Sequence, residues 1–497
     1  MKPSAFRWPV LLSLYLASRL VGLMALPMFL DERIHLRWAY WIEQGRRLRV
    51  PLLAGRGLSV YLLAPIATHA DDPLRAGRLL TVVIGLVTLV AGHRLALRVT
   101  GDRRVADLTA LFYIACPFTL AYDRMVLTDA FLSAFTALTL LLSVRLAEEP
   151  RWSTGAALGA AIALGVLSKA TGLLLFTVPV LALVLVARTR RPVLGPLALA
   201  FAVASTVVAY PLWLFFRKTD ELVGAIGVRD SETSFSGNAA ANLGLAAEWL
   251  WAYWTPGLVV LALAGLALAI AAGQGRRGFF LALLAVGPTV AFVSVSGIWY
   301  PRYLLFTTVP LLPLSAWGFV GAIDLVRKRG RLSTGPAAGL AVAALALVLA
   351  PAALFDLALW TDPPHAPFPA IERFQYVTGW PSGYGMRDSV AFLRLERERH
   401  PEGLLLVTPG PSTTASAVRL LCARDPAVDV LYVDPTSTDP AALARPGRAL
   451  FVIVSLVEGV RLPETWARDL APAFASFKPD GAATDQIYRA VTATAGR

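Results

Sequence analysis

Apolar residues recur along this chain in blocks of roughly 20, the length a helix needs to cross a bilayer core of about 30 Å. A soluble chain of 497 residues that is 56% hydrophobic and only 16% charged could not present enough polar surface to water. Membrane embedding therefore comes first. About 11 spans are expected from block length, over residues 8–28, 78–97, 105–120, 125–146, 154–167, 171–187, 193–216, 251–272, 279–295, 303–326 and 336–359. The first follows a basic start (Lys2, Arg7) but is long for a signal peptide and lacks a small-residue cleavage site. It reads as a retained helix with a cytoplasmic N-terminus.

The formal net charge of +13 falls mostly in the loops between spans. That placement points to lipid headgroups and topology rather than nucleic acid, for which no recognition motif is present. Cys116 lies in a span and Cys422 in the tail, so no disulfide framework is implied.

The short loops 99–104, 147–153, 188–192, 273–278 and 327–335 are all basic, which makes them cytoplasmic by the positive-inside rule. An odd number of spans then puts the tail outside the cell membrane. The first outer loop, 29–77, resists the rule with Arg33, Arg37, Arg46, Arg47, Arg49, Arg56 and Arg75. Within it Ile34, Trp38, Trp41 and Ile42 recur at helical spacing, an amphipathic helix expected at headgroup depth. A second apolar stretch, 58–67, is expected beside it. The other large outer loop, 217–248, is rich in Ser, Gly and Asn (Ser231, Ser234, Ser236, Gly237, Asn238) and reads as a substrate lid.

After Trp360 the composition changes. A proline-rich linker (Pro363, Pro364, Pro367, Pro369) precedes helix-like 389–400 and 414–423, alternating with strand-like 404–407, 428–433, 450–454 and 486–491. The chain is thus expected to form a transmembrane domain, 1–359, and an outer α/β domain, 360–497, that supports the first or docks an acceptor.

With this topology the unusual polar residues gather at one membrane face. Asp31-Glu32 follow the first span, Asp123-Arg124 precede the fourth, and Asp129 lies one turn inside it. Lys169 is in the turn between the fifth and sixth, and Tyr300-Pro301-Arg302-Tyr303 open the tenth. An acidic pair can simply end a helix, but a carboxylate at the water boundary can also take a proton from an attacking hydroxyl. An ionised group inside a span costs roughly 2.5–3.5 kcal/mol at its centre, so Asp129 either caps its helix or faces a cavity. Lys169, Arg302, Arg56 and Arg124 are the phosphate candidates, arginine as a fork and lysine as a point charge. Interfacial anchoring is the plainer alternative for each. The histidines are scattered and no metal-ligand spacing occurs.

These pieces together resemble the GT-C glycosyltransferases, in the branch of the protein O-mannosyltransferases and the lipid A aminoarabinose transferase. The matching residues are Phe29-Leu30-Asp31-Glu32 with Trp38-Ala39-Tyr40, and Val126-Leu127-Thr128-Asp129-Ala130. Leu167-Ser168-Lys169-Ala170-Thr171-Gly172 and Pro301-Arg302-Tyr303-Leu304-Leu305 with Pro310 complete the set. The resemblance implies a polytopic α-helical GT-C-like fold and a polyprenyl- or dolichyl-phosphate-linked hexose or pentose as donor. Asp31 becomes the base, with Glu32 and Asp129 as further acids of the site. Lys169, Arg302, Arg56 and Tyr303 become donor-phosphate contacts. The acceptor stays open among lipid, glycan and protein of the cell envelope.

Relatives often carry a Glu-Lys-Pro-Pro-like segment in the first loop, where this chain reads Ala54-Gly55-Arg56-Gly57-Leu58. Arg56 stands in for the lysine, and without the acidic partner a divalent cation stays open. A transporter or lipid flippase is the rival reading, and a scaffold displaying its tail a third. Against transport, the charges sit at one boundary rather than the midplane, and no internal repeat is visible.

Overall fold

The computed structural model describes residues 7–217, 239–297, 299–330, 333–410, 412–423, 425–434, 436, 438, 441–443, 445 and 447–491. The expected lid residues Ser231, Ser234, Ser236, Gly237 and Asn238 lie outside the described residues. By backbone contacts the chain forms two units. One comprises 1–23, 44–63 and 77–362; the other comprises 24–43, 64–76 and 363–497. The second unit therefore joins two pieces of the first outer loop to the tail, a division that chain order does not reveal.

The first unit is helical. It contains α1 (Arg7–Leu20), and α2 (Leu30–Glu43) belongs to the second unit. The chain of α3 (Gly57–His69) and α4 (Pro73–Thr100) is shared by both units, residues 64–76 belonging to the second; after them come α5 (Arg103–Ala115), α6 (Thr128–Glu148), α7 (Trp152–Ser168) and α8 (Thr177–Leu185). There follow α9 (Arg191–Arg217), α10 (Ala239–Ala271), α11 (Gly275–Val295), α12 (Thr308–Arg329) and α13 (Thr334–Thr361). Among the described residues seven segments are long and apolar enough to cross a membrane: α4, α6, α9, α10, α11, Pro301–Arg329 and 335–361. Shorter apolar helices accompany these: Gly57–Ile66 before α4, and α7 and Ala170–Leu185 between α6 and α9.

Small residues set the closest approaches. A Cβ on Gly265 would collide with the carbonyl of Leu314, and one on Gly318 with that of Leu261, so α10 and α12 touch backbone to backbone. Gly155 and Gly159 do the same for α7 against Pro196 and Ala200 of α9. In lipid, where hydrophobicity does not drive helices together, such close packing is the main source of association.

The second unit is built on a five-stranded sheet of order β2-β1-β3-β5-β4. The strands are β1 (Leu404–Thr408), β2 (Val428–Tyr432), β3 (Ala449–Ser455), β4 (Leu470–Phe477) and β5 (Ala483–Ala490). β1 pairs in parallel with both β2 and β3, while β3–β5 and β5–β4 are antiparallel. Helices α14 (Met386–Arg399) and α15 (Thr413–Leu421) flank it. Leu405, Val407, Val452, Val454 and Trp466 form a buried core on one face. The helix expected at 34–42 exists as α2, but Trp38 is 1% exposed. It is enclosed by protein, which corrects the expectation of a tryptophan at headgroup depth.

Candidate functional site

In the first unit the cations sit where helices break. α7 ends at Ser168, Lys169 adopts an extended backbone, and a 3-10 turn follows over Ala170–Phe176 before α8. The turn folds back onto α7 because Gly172 has no side chain, since a Cβ there would strike the backbone of Gly165. The second break has the same form: Tyr300 is extended, and a 3-10 turn over Pro301–Thr307 carries Arg302 into α12. Trp254 donates from its indole nitrogen to Thr308 Oγ1 at 2.9 Å and pins the start of that helix. The adjoining Thr255 takes φ 59° and kinks α10, a conformation that costs of order 1–3 kcal/mol in a residue with a side chain.

The two breaks meet around Asp129. Lys169 Nζ lies 2.6 Å from Asp129 Oδ1, in the first turn of α6, and 3.7 Å from the centre of the Tyr303 ring. The Arg302 guanidinium lies 4.5 Å from the Tyr300 ring centre and 5.5 Å from that of Tyr303. Burial pulls the Lys169 ammonium down to about 8; Asp129 opposes the fall, and the charges of Arg302 and Arg56 add to it. Arg56 is thereby within electrostatic reach of Lys169. Gly55 allows this approach: at φ 65°, its Cβ position lies only 2.9 Å from the Ala170 side chain. The sequence-expected Asp129, Lys169, Arg302, Tyr303 and Arg56 are thus brought together in one unit.

The same two 3-10 turns border an apolar groove of about 210 Å³. Leu174, Leu175 and Phe306 line it, supplied by the same two 3-10 turns, with Leu283, Leu284 and Pro310.

Asp123 and Arg124 take a different role. Arg19 and Asp123 form a buried pair at 3.2 Å, and Tyr113 donates to Asp123 at 3.0 Å. Arg124 donates to the carbonyls of Val21 and Gly22 just beyond α1. These residues fasten α1 to the bundle. Arg19 and the buried Asp356 of α13 did not enter the sequence reading; an arginine inside the first span was the available signal.

In the second unit, Asp31 and Glu32 occupy the first turn of α2. Glu32 is fully buried, and its Oε2 accepts from the Phe29 N–H at 3.0 Å, so it closes the helix start as a capping glutamate does. Asp31 beside it is half-buried. Among the described residues no three His, Cys, Asp or Glu side chains cluster as metal ligands.

Residues 58–215 match the family model described as dolichyl-phosphate-mannose-protein mannosyltransferase. Compared by sequence with curated proteins, the chain finds no match. The structure is similar to ArnT from Cupriavidus metallidurans bound to undecaprenyl phosphate, at 15% identity and TM-score 0.59 over 99% of both chains. It is also similar to AglB from Archaeoglobus fulgidus in complex with an inhibitory peptide and a dolichol-phosphate. There the identity is 11% and the TM-score 0.56, over 98% of this chain and 75% of that one. Arabinofuranosyltransferase AftD from Mycobacteria is 14% identical with TM-score 0.51, over 97% of this chain and 40% of that one. The chain is thus a multi-pass membrane protein that shares its fold with ArnT and AglB, and its residues 58–215 match the family model of the dolichyl-phosphate-mannose-protein mannosyltransferases.

Proposed function

We propose that the protein transfers a sugar from a polyprenyl-phosphate donor to an acceptor hydroxyl at the extracytoplasmic face of the cell membrane, with inversion. The single observation behind this reading is a juxtaposition. The two 3-10 turns that carry Arg302 and directly follow Lys169 also line the apolar groove. A phosphate at the cations would leave a hydrocarbon chain beside an apolar wall, which suits a lipid phosphate better than a nucleotide sugar. The family match over 58–215 and the undecaprenyl phosphate bound to ArnT point the same way.

In the proposed step the acceptor oxygen attacks the anomeric carbon, and Asp31 takes the hydroxyl proton. The bond from that carbon to the phosphate oxygen breaks, and its electron pair leaves with the phosphate. Negative charge grows on the leaving group, so Lys169, Arg302 and Arg56 stabilise the transition state more than the ground state. Asp129 holds the Lys169 ammonium, Tyr303 lies against it, and Glu32 holds the helix start that presents Asp31. Direct displacement passes through an oxocarbenium-like state and inverts the centre.

Purified protein with radiolabelled polyprenyl-phosphate sugar tests the reading against extracted envelope lipids, glycans and proteins. Label is expected to appear in a new glycosidic product, with loss of activity in Arg302→Ala. If reconstituted vesicles instead move the lipid-linked sugar across the bilayer and form no product, the transferase reading is wrong and transport replaces it.

A further inference from the structure

The α/β unit contains a place where ligands ordinarily bind. Its strand order β2-β1-β3 reverses direction at β1, because β1 leads through α15 to β2 on one side and the chain then returns to β3 on the other. Doubly wound sheets bind ligands at such a switch point, outside the carboxyl ends of the strands. Here that edge holds part of the chain itself. α2 packs on α15, and Arg33 Nη1 donates at 3.0 Å to the carbonyl of Thr413, the first residue of α15.

The first turn of α15 is itself fixed from below. Thr414 Oγ1 donates to Asp485 Oδ2 at 2.6 Å, and Ser389 of α14 donates to the same oxygen at 2.9 Å. The start of α2 is held from a second direction as well. Leu30 N–H donates to the carbonyl of Pro381 at 3.1 Å, and Phe29 meets Tyr376 edge-on at 4.9 Å between ring centres. Gly383 passes so close to Met28 that a Cβ would collide with its carbonyl oxygen. Residues 29, 30, 32 and 33, which flank Asp31, are therefore each tied by a hydrogen bond or ring contact.

We infer that the C-terminal α/β domain acts as a clamp that orients the Asp31 carboxylate, with Arg33 as its principal positioning residue. This rests on the reading of Asp31 as the base. The physical case is one of precision. A general base works only within hydrogen-bond reach of its proton, and a displacement of about 1 Å can cost on the order of a hundredfold in rate. The α/β domain holds this 14-residue helix from both ends of its first turn. The tail's conventional ligand site is given over to that task.

Three variants of the full-length protein test the clamp, with kcat and donor KM measured for each. Arg33→Leu keeps the apolar bulk and removes the donor; kcat is expected to fall about ten- to a hundredfold while donor KM stays within about twofold. Arg33→Lys restores a cation and is expected to recover most of that loss, which a purely structural arginine would not require. Gly383→Ala, which leaves every side chain of α2 intact, is expected to show the same split between kcat and KM. Limited proteolysis of the tail confirms that each variant is folded.

Wild-type kcat in Arg33→Leu, or a donor KM that rises as far as kcat falls, overturns the clamp. Asp31→Asn separates the two claims. If it is inactive while Arg33→Leu is fully active, the base stands and only the clamp fails. If Asp31→Asn is itself fully active, the base assignment fails and the clamp goes with it.

Discussion

The two units hold their charged residues by opposite means. In the membrane unit, Lys169 and Arg302 sit at interruptions of apolar helices, where a carboxylate and tyrosine rings meet them. In the α/β unit, the acids of α2 stand inside a regular helix whose start is tied by backbone and side-chain hydrogen bonds. Lipid offers nothing to solvate an unsatisfied group, so a charge there stands at a helix break where local backbone and aromatic faces can meet it. For a carboxylate on a regular helix the harder task is precision. The cations are placed by where the chain cannot stay helical, and the carboxylate is placed by what grips the helix.

The largest effect should come from the gripped carboxylate. Asp31→Asn preserves shape and hydrogen-bonding capacity but removes the base, and transfer should fall by roughly 10²–10⁴-fold. Donor binding, followed by retention of labelled lipid on the purified variant, should be unchanged. If activity survives, the two units do not divide the labour as described. Next comes the cation side. Lys169→Ala removes a charge-assisted contact worth about 1.5–3 kcal/mol and strands Asp129 without its 2.6 Å partner. Donor KM should rise on the order of ten- to a hundredfold. A fall in kcat alone would mean that Lys169 does not hold the donor.

The same contrast explains what the sequence disclosed. In a bilayer every polar residue is an exception that asks for a reason, so Asp129, Lys169 and Arg302 stood out from their apolar surroundings. Breaks such as Ser168-Lys169-Ala170 also marked where the spans stop. The tail offers no such background, because serines and threonines are ordinary there. The hydroxyl cage of Ser389, Thr414 and Ser476 around Asp485 left no trace in the pattern. β4 was also invisible: Leu470–Phe477 reads LAPAFASF, with a proline and three alanines, and pairs only as an edge strand. The joining of α2 to the tail depends on contacts across more than 300 residues, such as Arg33 to Thr413, which no local periodicity encodes. Trp38 was misplaced for that reason, since an amphipathic face looks the same whether it meets headgroups or protein.

A smaller effect should follow pH. The Lys169 ammonium is pulled down to about 8, chiefly by burial, so it loses its proton within a modest alkaline range. The charged form is the one that attracts phosphate. Donor KM should therefore be flat at lower pH and rise above about pH 8, by up to roughly tenfold per unit in the limit of full dependence on that charge. Lys169→Arg, whose guanidinium stays protonated, should flatten the rise even if its own KM is worse. An unchanged alkaline limb in the arginine variant would assign that limb to another group.

The smallest effect tests the α/β side without touching α2. Burial pushes the Asp485 carboxyl above its usual range, while hydrogen bonds from Thr414 and Ser389 pull it partly back. A carboxyl raised in the folded state favours folding most when protonated. Its contribution is complete below the unfolded value of about 3.9 and is lost as pH rises through the raised native value. Asp425 runs the other way, because Arg397 at 2.7 Å holds it low, so the wild-type profile alone is ambiguous. The difference from Asp485→Asn isolates the buried group. Asparagine keeps an acceptor for the two hydroxyls, and at neutral pH the variant should lie within about 1 kcal/mol of wild type. On acidification the wild-type tail should gain protease resistance relative to the variant, in the full-length protein. A loss instead would mean that the cage stabilises the ionised carboxylate, and that the first turn of α15, on which Arg33 rests, is held by charge rather than by hydroxyl hydrogen bonds alone.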